Sequence, residues 1–328
     1  MKILVVLPLN GAQKERLRCA AGGAEVIFTS PRGVTAAELA AADALIGNLP
    51  PERLREAAGL RWVQLNSAGA EAYAAPGVLP EGAVLTNASG AYGLAISEHM
   101  LACLLYLMKH LDLYGADQAG HVWQDHGPVR SIWGSRTLVV GCGDIGGAFG
   151  CRMAALGSRV TGIRRTAAEK PEWLEAVYPA EHLADCLGEA DVVASCLPGT
   201  AATHHLFNRQ AFAQMKPGAY FLNVGRGGTV DSLALAEALR EGRLAGAAVD
   251  VTEPEPLPPD HPLWKAGNIL ITPHVSGGYH LPETLERIVG IAADNLRRFV
   301  AGEALCNVVD AVTGYRRRQD QARQEEAE

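Results

Sequence analysis

The stretch Thr137-Leu138-Val139-Val140-Gly141-Cys142-Gly143-Asp144-Ile145-Gly146 decides the fold of this chain. An apolar run of strand length leads straight into G-x-G-x-x-G, and helical residues follow. In that order the three glycines have separate tasks. Gly141 permits a tight turn, Gly143 lets a pyrophosphate approach the backbone, and Gly146 lets strand and helix pack closely. The helix N-terminus then faces the phosphate charge. Asp144 and Ile145 supply the first helical backbone groups. A G-x-G-x-x-G alone is weak in a chain with 36 glycines. The strand before it and the second strand after it, Arg159–Gly162, give it context.

The end of that second strand reads the cofactor. Where NAD proteins place an acid for the ribose 2′-hydroxyl, this chain has Arg164, eighteen residues beyond Gly146, followed by Arg165 and Thr166. Guanidinium forks pair with a 2′-phosphate, which an acid would repel. The expected cofactor is therefore NADP(H), with NAD(H) as the secondary one.

Working outward, strand-like runs alternate with helical stretches along the chain. Ile3–Leu7, Glu25–Phe28, Ala44–Ile46 and Trp62–Leu65 form one strand series, with helices expected over Gln13–Ala21, Ala36–Ala41 and Pro51–Ala58. One long helix is expected over Ile96–Leu113. The second series is Thr137–Val140, Arg159–Gly162, Val192–Ser195, Ala219–Asn223, Ala247–Val249 and Ile269–Ile271. Pro282–Phe299 reads as a helix packing back on the first domain. The pattern predicts an α/β fold of two doubly wound parallel-sheet domains with a cleft between them. The expected boundaries are 1–94 plus 280–315 for a substrate domain, 95–279 for a dinucleotide-binding domain, and 316–328 for a polar tail.

The bulk numbers fit that reading. A chain of 328 residues, 48% hydrophobic and 20% charged, can bury two cores. A net charge of −7 gives no basic excess for nucleic acid. The seven cysteines contain no C-x-x-C pair, which suits a reducing, cytoplasmic compartment. No stretch reads as a membrane span or signal peptide.

Three loops after strands carry candidate chemistry. Asn223-Val224-Gly225-Arg226 sets an arginine among glycines. Val249-Asp250-Val251-Thr252-Glu253-Pro254-Glu255-Pro256 carries acids. Ile271-Thr272-Pro273-His274-Val275-Ser276-Gly277 carries a histidine. Each has a dull alternative as a surface arginine, a loop acid and one of ten histidines. Together at one sheet edge they suit reduction of a keto acid. A cation binds the carboxylate, an imidazolium gives a proton, and an acid orients the imidazole. His204-His205 invites a metal reading. Adjacent side chains are expected to point apart and no third ligand is evident nearby, so no metal is expected.

These residues closely resemble the D-isomer-specific 2-hydroxyacid dehydrogenases, the group that includes glyoxylate/hydroxypyruvate reductases of the NADP type. The resemblance runs from about Asn66 to Tyr315. It includes Asn66-Ser67-Ala68-Gly69, Thr86-Asn87-Ala88-Ser89-Gly90, Ala95-Ile96-Ser97-Glu98-His99, Leu197-Pro198-Gly199-Thr200, Met215-Lys216-Pro217-Gly218 and Asn307-Val308-Val309-Asp310.

The resemblance implies that Arg226 holds the substrate carboxylate, that His274 is the acid/base, and that Glu255 pairs with it. Glu253 falls outside the family's register. Ala68 and Gly69 would cap the carboxylate through their backbone. Leu197, Pro198 and Thr203 would line the cofactor site with Val224, Gly225 and Gly277, and Asp250 would sit near the nicotinamide. A homodimer through 96–133 and the absence of a regulatory domain after Tyr315 are also implied. The competing readings are a 3-phosphoglycerate, formate or phosphite dehydrogenase of the same superfamily, or a cofactor-sensing corepressor-like binding protein.

Overall fold

The structure, a computed structural model, describes residues 1–165 and 170–310. The first elements are β1 (Lys2–Val5), α1 (Gly11–Ala20), β2 (Glu25–Phe28), α2 (Ala36–Ala40), β3 (Ala44–Ile46), α3 (Pro51–Leu54), β4 (Trp62–Gln64), α4 (Glu71–Ala74) and β5 (Val84–Thr86). Then come α5 (Gly93–Met108), α6 (Leu111–Gly120), β6 (Arg136–Val140), α7 (Asp144–Ala155), β7 (Arg159–Ile163), β8 (Ala176–Tyr178), α8 (Leu183–Leu187) and β9 (Val192–Ser195). The chain continues through α9 (Arg209–Gln214), β10 (Ala219–Asn223), α10 (Ser232–Arg240), β11 (Leu244–Val249), β12 (Ile269–Ile271) and α11 (Pro282–Ala301). These elements form two units, Met1–Tyr92 with 279–310, and Gly93–Gly278.

The first unit is a five-stranded sheet in the order β2-β1-β3-β4-β5. All its strand pairs are parallel. Ile3, Leu4 and Val5 are fully buried, as continuous apolar strands covered on both faces must be. The helices are punctuated by side chains. Asn10 Oδ1 accepts the Gln13 N–H at 2.9 Å while Gln13 Oε1 accepts the Asn10 N–H at 3.0 Å, a reciprocal cap on α1. α11 packs on α1 and β4, within the same unit. Buried Asn295 fixes its register, donating to Gln64 Oε1 (2.8 Å) and to the Cys306 carbonyl (2.9 Å). A buried amide with every polar atom paired specifies one docking position where an apolar side chain would allow several.

The second unit is a seven-stranded, all-parallel sheet in the order β12-β11-β10-β9-β6-β7-β8. From β6 the chain winds outward through β7 and β8. It then returns to the other side of β6 and winds out through β9 to β12. The strand order therefore reverses between β6 and β9, where open α/β sheets bind ligands beyond their carboxyl ends. β10 is buried along its whole length. Its Phe221 meets Phe207 in a tilted contact and Phe212 edge to face, a buried aromatic group.

The architecture is as expected, with three corrections. Each sheet has one more short strand than the sequence reading gave, β5 and β8. The expected helix Ile96–Leu113 is two helices, because His110 between α5 and α6 takes a left-handed conformation with φ 55°. The helix expected over Pro51–Ala58 stops at Leu54. Among the described residues no helix is long and apolar enough to cross a membrane. The polar tail 316–328 lies outside the described residues.

Candidate active site

Because every strand of the second unit is parallel, the loops after β6, β7, β9, β10, β11 and β12 all leave the same sheet edge. Those six loops carry Gly141–Gly146, Arg164–Arg165, Leu197–Thr203, Val224–Arg226, Asp250–Glu255 and His274–Gly277. Thr166 lies outside the described residues.

The fingerprint loop meets the steric demands of a dinucleotide. Gly141 has φ +97°, and a Cβ there would sit 2.8 Å from the Cys196 carbonyl oxygen. A Cβ on Gly146 would be 2.2 Å from the Gly141 carbonyl oxygen and 2.8 Å from Val139 Cγ1. Gly143, by contrast, faces open space, and as N-cap of α7 it leaves the helix without a side-chain cap. An uncapped helix N-terminus beside a bare backbone is a site for phosphate. The Asp144 carboxylate accepts the Gly93 N–H at 2.9 Å, so this side chain ties α7 to the start of α5.

Arg164 follows β7, its N–H donating to the Tyr178 carbonyl at 3.0 Å. Its Nε is buried and has no acceptor among the described residues. An orphaned guanidinium donor next to the fingerprint fits an anionic ligand group. Burial pushes the neighbouring Cys142 thiol up, and the Arg164 charge only partly offsets this. Cys142 is thus a neutral thiol, donating weakly to the Val139 carbonyl (3.4 Å).

After β9, Leu197 and Pro198 lead into a turn closed by Thr203, whose hydroxyl donates to the Pro198 carbonyl at 2.6 Å. Gly225 presses on this segment. A Cβ there would be 2.3 Å from the Leu197 carbonyl oxygen. The neighbouring Arg226 Nη1 donates to the Gly225 carbonyl at 2.9 Å.

His274 Nδ1 and Glu255 Oε1 are 2.6 Å apart. An ionised carboxylate only accepts, so Nδ1 carries the hydrogen and Nε2 is the nitrogen left to exchange a proton. Glu253, two residues earlier, is engaged elsewhere, 2.8 Å from His205 Nε2 and 3.4 Å from His204 Nε2. This corrects the expectation that the two histidines point apart with no third ligand near. Neighbours diverge in regular structure, but His205 has φ 47°, and the turn stacks the two rings 4.0 Å apart.

Asp250 is buried at 3% exposure and organises the histidine loop. Its Oδ1 accepts from the Thr272 hydroxyl (2.6 Å) and the Val275 N–H (3.0 Å), and its Oδ2 from the Ser276 N–H (3.1 Å) and hydroxyl. Its carbonyl accepts the His274 N–H at 2.8 Å. These bonds hold His274 in the left-handed region, φ 52°. Sequence reasoning missed Thr272 and Ser276, although each stands two residues from His274. His99 Nε2 lies 3.2 Å from Thr272 Oγ1. Since that hydroxyl donates to Asp250, it accepts from His99.

Ala68 and Gly69 follow β4 in the first unit. Asn87 Nδ2 donates to the Ala68 carbonyl and the Ser67 hydroxyl to the Gly69 carbonyl, each at 2.7 Å. In the same loop Asn66 Oδ1 is buried, with no hydrogen-bond partner among the described residues.

Residues 101–276 match the model of the D-isomer-specific 2-hydroxyacid dehydrogenase NAD-binding domain. The glyoxylate/hydroxypyruvate reductase A of Photorhabdus laumondii is 30% identical over 282 residues, covering 83% of this chain and 87% of that one. A D-isomer-specific 2-hydroxyacid dehydrogenase family protein of Aeromonas salmonicida superposes with TM-score 0.83 at 33% identity, over 94% of this chain and 99% of that one. The NADPH-dependent glyoxylate/hydroxypyruvate reductase of Sinorhizobium meliloti, solved with NADP and sulfate, gives TM-score 0.79 at 28% identity, over 96% and 99%. With its fingerprint, its parallel carboxyl edge and these likenesses, the chain belongs to the D-isomer-specific 2-hydroxyacid dehydrogenase family.

Proposed function

We propose that this chain reduces a small 2-keto acid, of the glyoxylate or hydroxypyruvate class, to the D-2-hydroxy acid with NADPH. The observation that carries the proposal is the 2.6 Å His274–Glu255 pair on the sheet edge that also bears the fingerprint and Arg226. The backbone of Gly141–Gly146 and the start of α7 would hold the pyrophosphate, and Arg164 and Arg165 the 2′-phosphate. Leu197, Pro198, Thr203, Val224, Gly225, Asp250 and Gly277 would border the nicotinamide end. The cofactor, when bound, supplies the hydride that reaches the carbonyl carbon.

Arg226 binds the substrate carboxylate and polarises the carbonyl. His274 delivers its Nε2 proton to the carbonyl oxygen, and Glu255 stabilises the imidazolium before that transfer. The Sinorhizobium protein's complex with NADP supports the cofactor assignment.

The test is NADPH oxidation across a panel of 2-keto acids, repeated with NADH and with Arg164→Asp. NADPH is expected to be favoured. The variant should lose roughly 10- to 100-fold in kcat/KM for NADPH, the worth of one charge-assisted contact of about 1.5–3 kcal/mol. Absence of turnover with every keto acid and both cofactors would refute the proposal. Equal use of NADH and NADPH by the wild type would refute its cofactor part.

A homodimer through 96–133 belongs to the same reading. Trp123 is fully exposed and Trp133 79% exposed, with Leu111, Leu113, Val122 and Val129 also exposed. So many large apolar side chains along one segment suit burial against a second copy. A monomeric mass by light scattering would refute it. The seven cysteines are all free, which supports a cytoplasmic location. Finding the protein in an oxidising compartment would overturn that part.

A further inference from the structure

We propose that His204, His205 and Glu253 form a binding site for a divalent transition-metal cation of the zinc class, separate from the His274–Glu255 pair. The three groups offer two imidazole nitrogens and a carboxylate oxygen, all within 4.8 Å of one another. Two imidazoles and a carboxylate are a donor set for zinc and its neighbours and too nitrogen-rich for magnesium or calcium.

The spacing is close to what a metal needs. With metal–ligand bonds of ~2.0–2.1 Å, the edge of a tetrahedron is ~3.3 Å. His204 Nε2 lies 3.4 Å from Glu253 Oε2, so that edge is already formed. His205 Nε2 is at 2.8 Å, a hydrogen-bond distance, and must open slightly. The rings are stacked with their planes 20° apart and have to turn about Cβ–Cγ to aim both nitrogens at one point. They are free to do so, because the side chains of His204 and His205 are 56% and 42% exposed.

The backbone is held more firmly. The left-handed His205 donates its N–H to the Gly228 carbonyl at 2.8 Å, and a Cβ on Gly228 would come 3.2 Å from Glu253 Oε1. With three protein ligands, the fourth position is left for water. A bound ion would pin the Thr203–His205 turn to the loop that continues into Glu255.

The test is equilibrium dialysis with Zn2+ and spectroscopic titration with Co2+, on wild type, His204→Ala and Glu253→Gln. The wild type should take up one ion with a cobalt spectrum free of a thiolate charge-transfer band. Loss of even an outer partner of a metal site costs about 10- to 100-fold in affinity, so each variant should lose at least ~10-fold. Both substitutions sit on exposed side chains and leave His274 and Glu255 in place. Unchanged affinity in both variants would overturn the site, as would a thiolate band on the tightest ion, which would assign it to cysteine.

Discussion

Replacing Asp250 tests how the histidine loop is held. Asp250→Ala removes the acceptor for two backbone N–H groups, Val275 at 3.0 Å and Ser276 at 3.1 Å, and for the Thr272 and Ser276 hydroxyls. The hydroxyls can rotate to other acceptors, but the N–H groups cannot. Each unpaired buried donor costs about 1–3 kcal/mol, so the loop loses about 2–6 kcal/mol. Val275 is partly exposed and water recovers some of this, which favours the lower end. Asp250→Asn keeps one oxygen and sets an NH2 against one N–H, for about 1–3 kcal/mol. The assay is hydrogen–deuterium exchange of the peptide covering 272–278. A loss of about 2 kcal/mol speeds local exchange roughly 30-fold. The expected order is wild type slowest, then Asp250→Asn, then Asp250→Ala. Exchange within twofold of wild type in Asp250→Ala would refute the hub role.

The fingerprint glycines should separate by their surroundings. Gly146→Ala drives a methyl to 2.2 Å from a carbonyl oxygen and should cost about 1–3 kcal/mol, read as a lower melting temperature. Gly143→Ala meets nothing and should melt like wild type while binding dinucleotide more weakly; equal melting of the two variants would contradict this. Glu255→Gln should keep the fold and lose about 10²- to 10⁴-fold in kcat, the range for a positioned proton donor; unchanged kcat would count against the pair. For acid stability, burial pushes the Asp191 carboxyl up. The Lys216 ammonium at 2.6 Å and the Arg136 N–H outweigh it, leaving the group below its ordinary value. Its contribution is present above about pH 3.9 and fades as the pH falls through the lowered folded value. Asp191→Asn should therefore narrow its melting-temperature gap to wild type between pH 6 and pH 3; a constant gap would refute the assignment.

The clearest strands in the sequence are apolar runs buried along their length, such as Ala219–Asn223, where composition alone marks the element. The two that sequence reading missed, Val84–Thr86 and Ala176–Tyr178, are three residues long, lie at sheet edges and hold only two aliphatic residues in a row before a hydroxyl-bearing end residue, too little for composition to mark a strand. The break at His110 was illegible for another reason. Residues 96–113 read as one helix by composition. The corner is held by partners far along the chain, with Lys109 Nζ donating to the Arg130 carbonyl at 2.6 Å and His110 Nε2 3.2 Å from the Pro128 carbonyl. The placement of Arg226, Glu255 and His274 on one sheet edge was legible, because each follows a strand and all the strands of that sheet are parallel. The approach of His204 and His205 to Glu253 was illegible, because nothing in His204-His205 announces a positive φ.

The carboxylates of one loop divide the control of a single imidazole. Asp250 fixes where the His274 backbone lies, through its own carbonyl and through the N–H groups that follow the histidine. Glu255 fixes which ring nitrogen carries hydrogen. Glu253, between them in sequence, reaches neither and bonds instead to the histidine turn after β9. The backbone N–H groups are held by a buried carboxylate saturated by its donors, while the ring is met by a carboxylate nearer the surface. Exposure follows that division, with Asp250 at 3% and the Glu255 side chain at 43%. The loop's sequence, acid at its start and acid five residues on, is what places one carboxylate under the sheet edge and the other beside the ring.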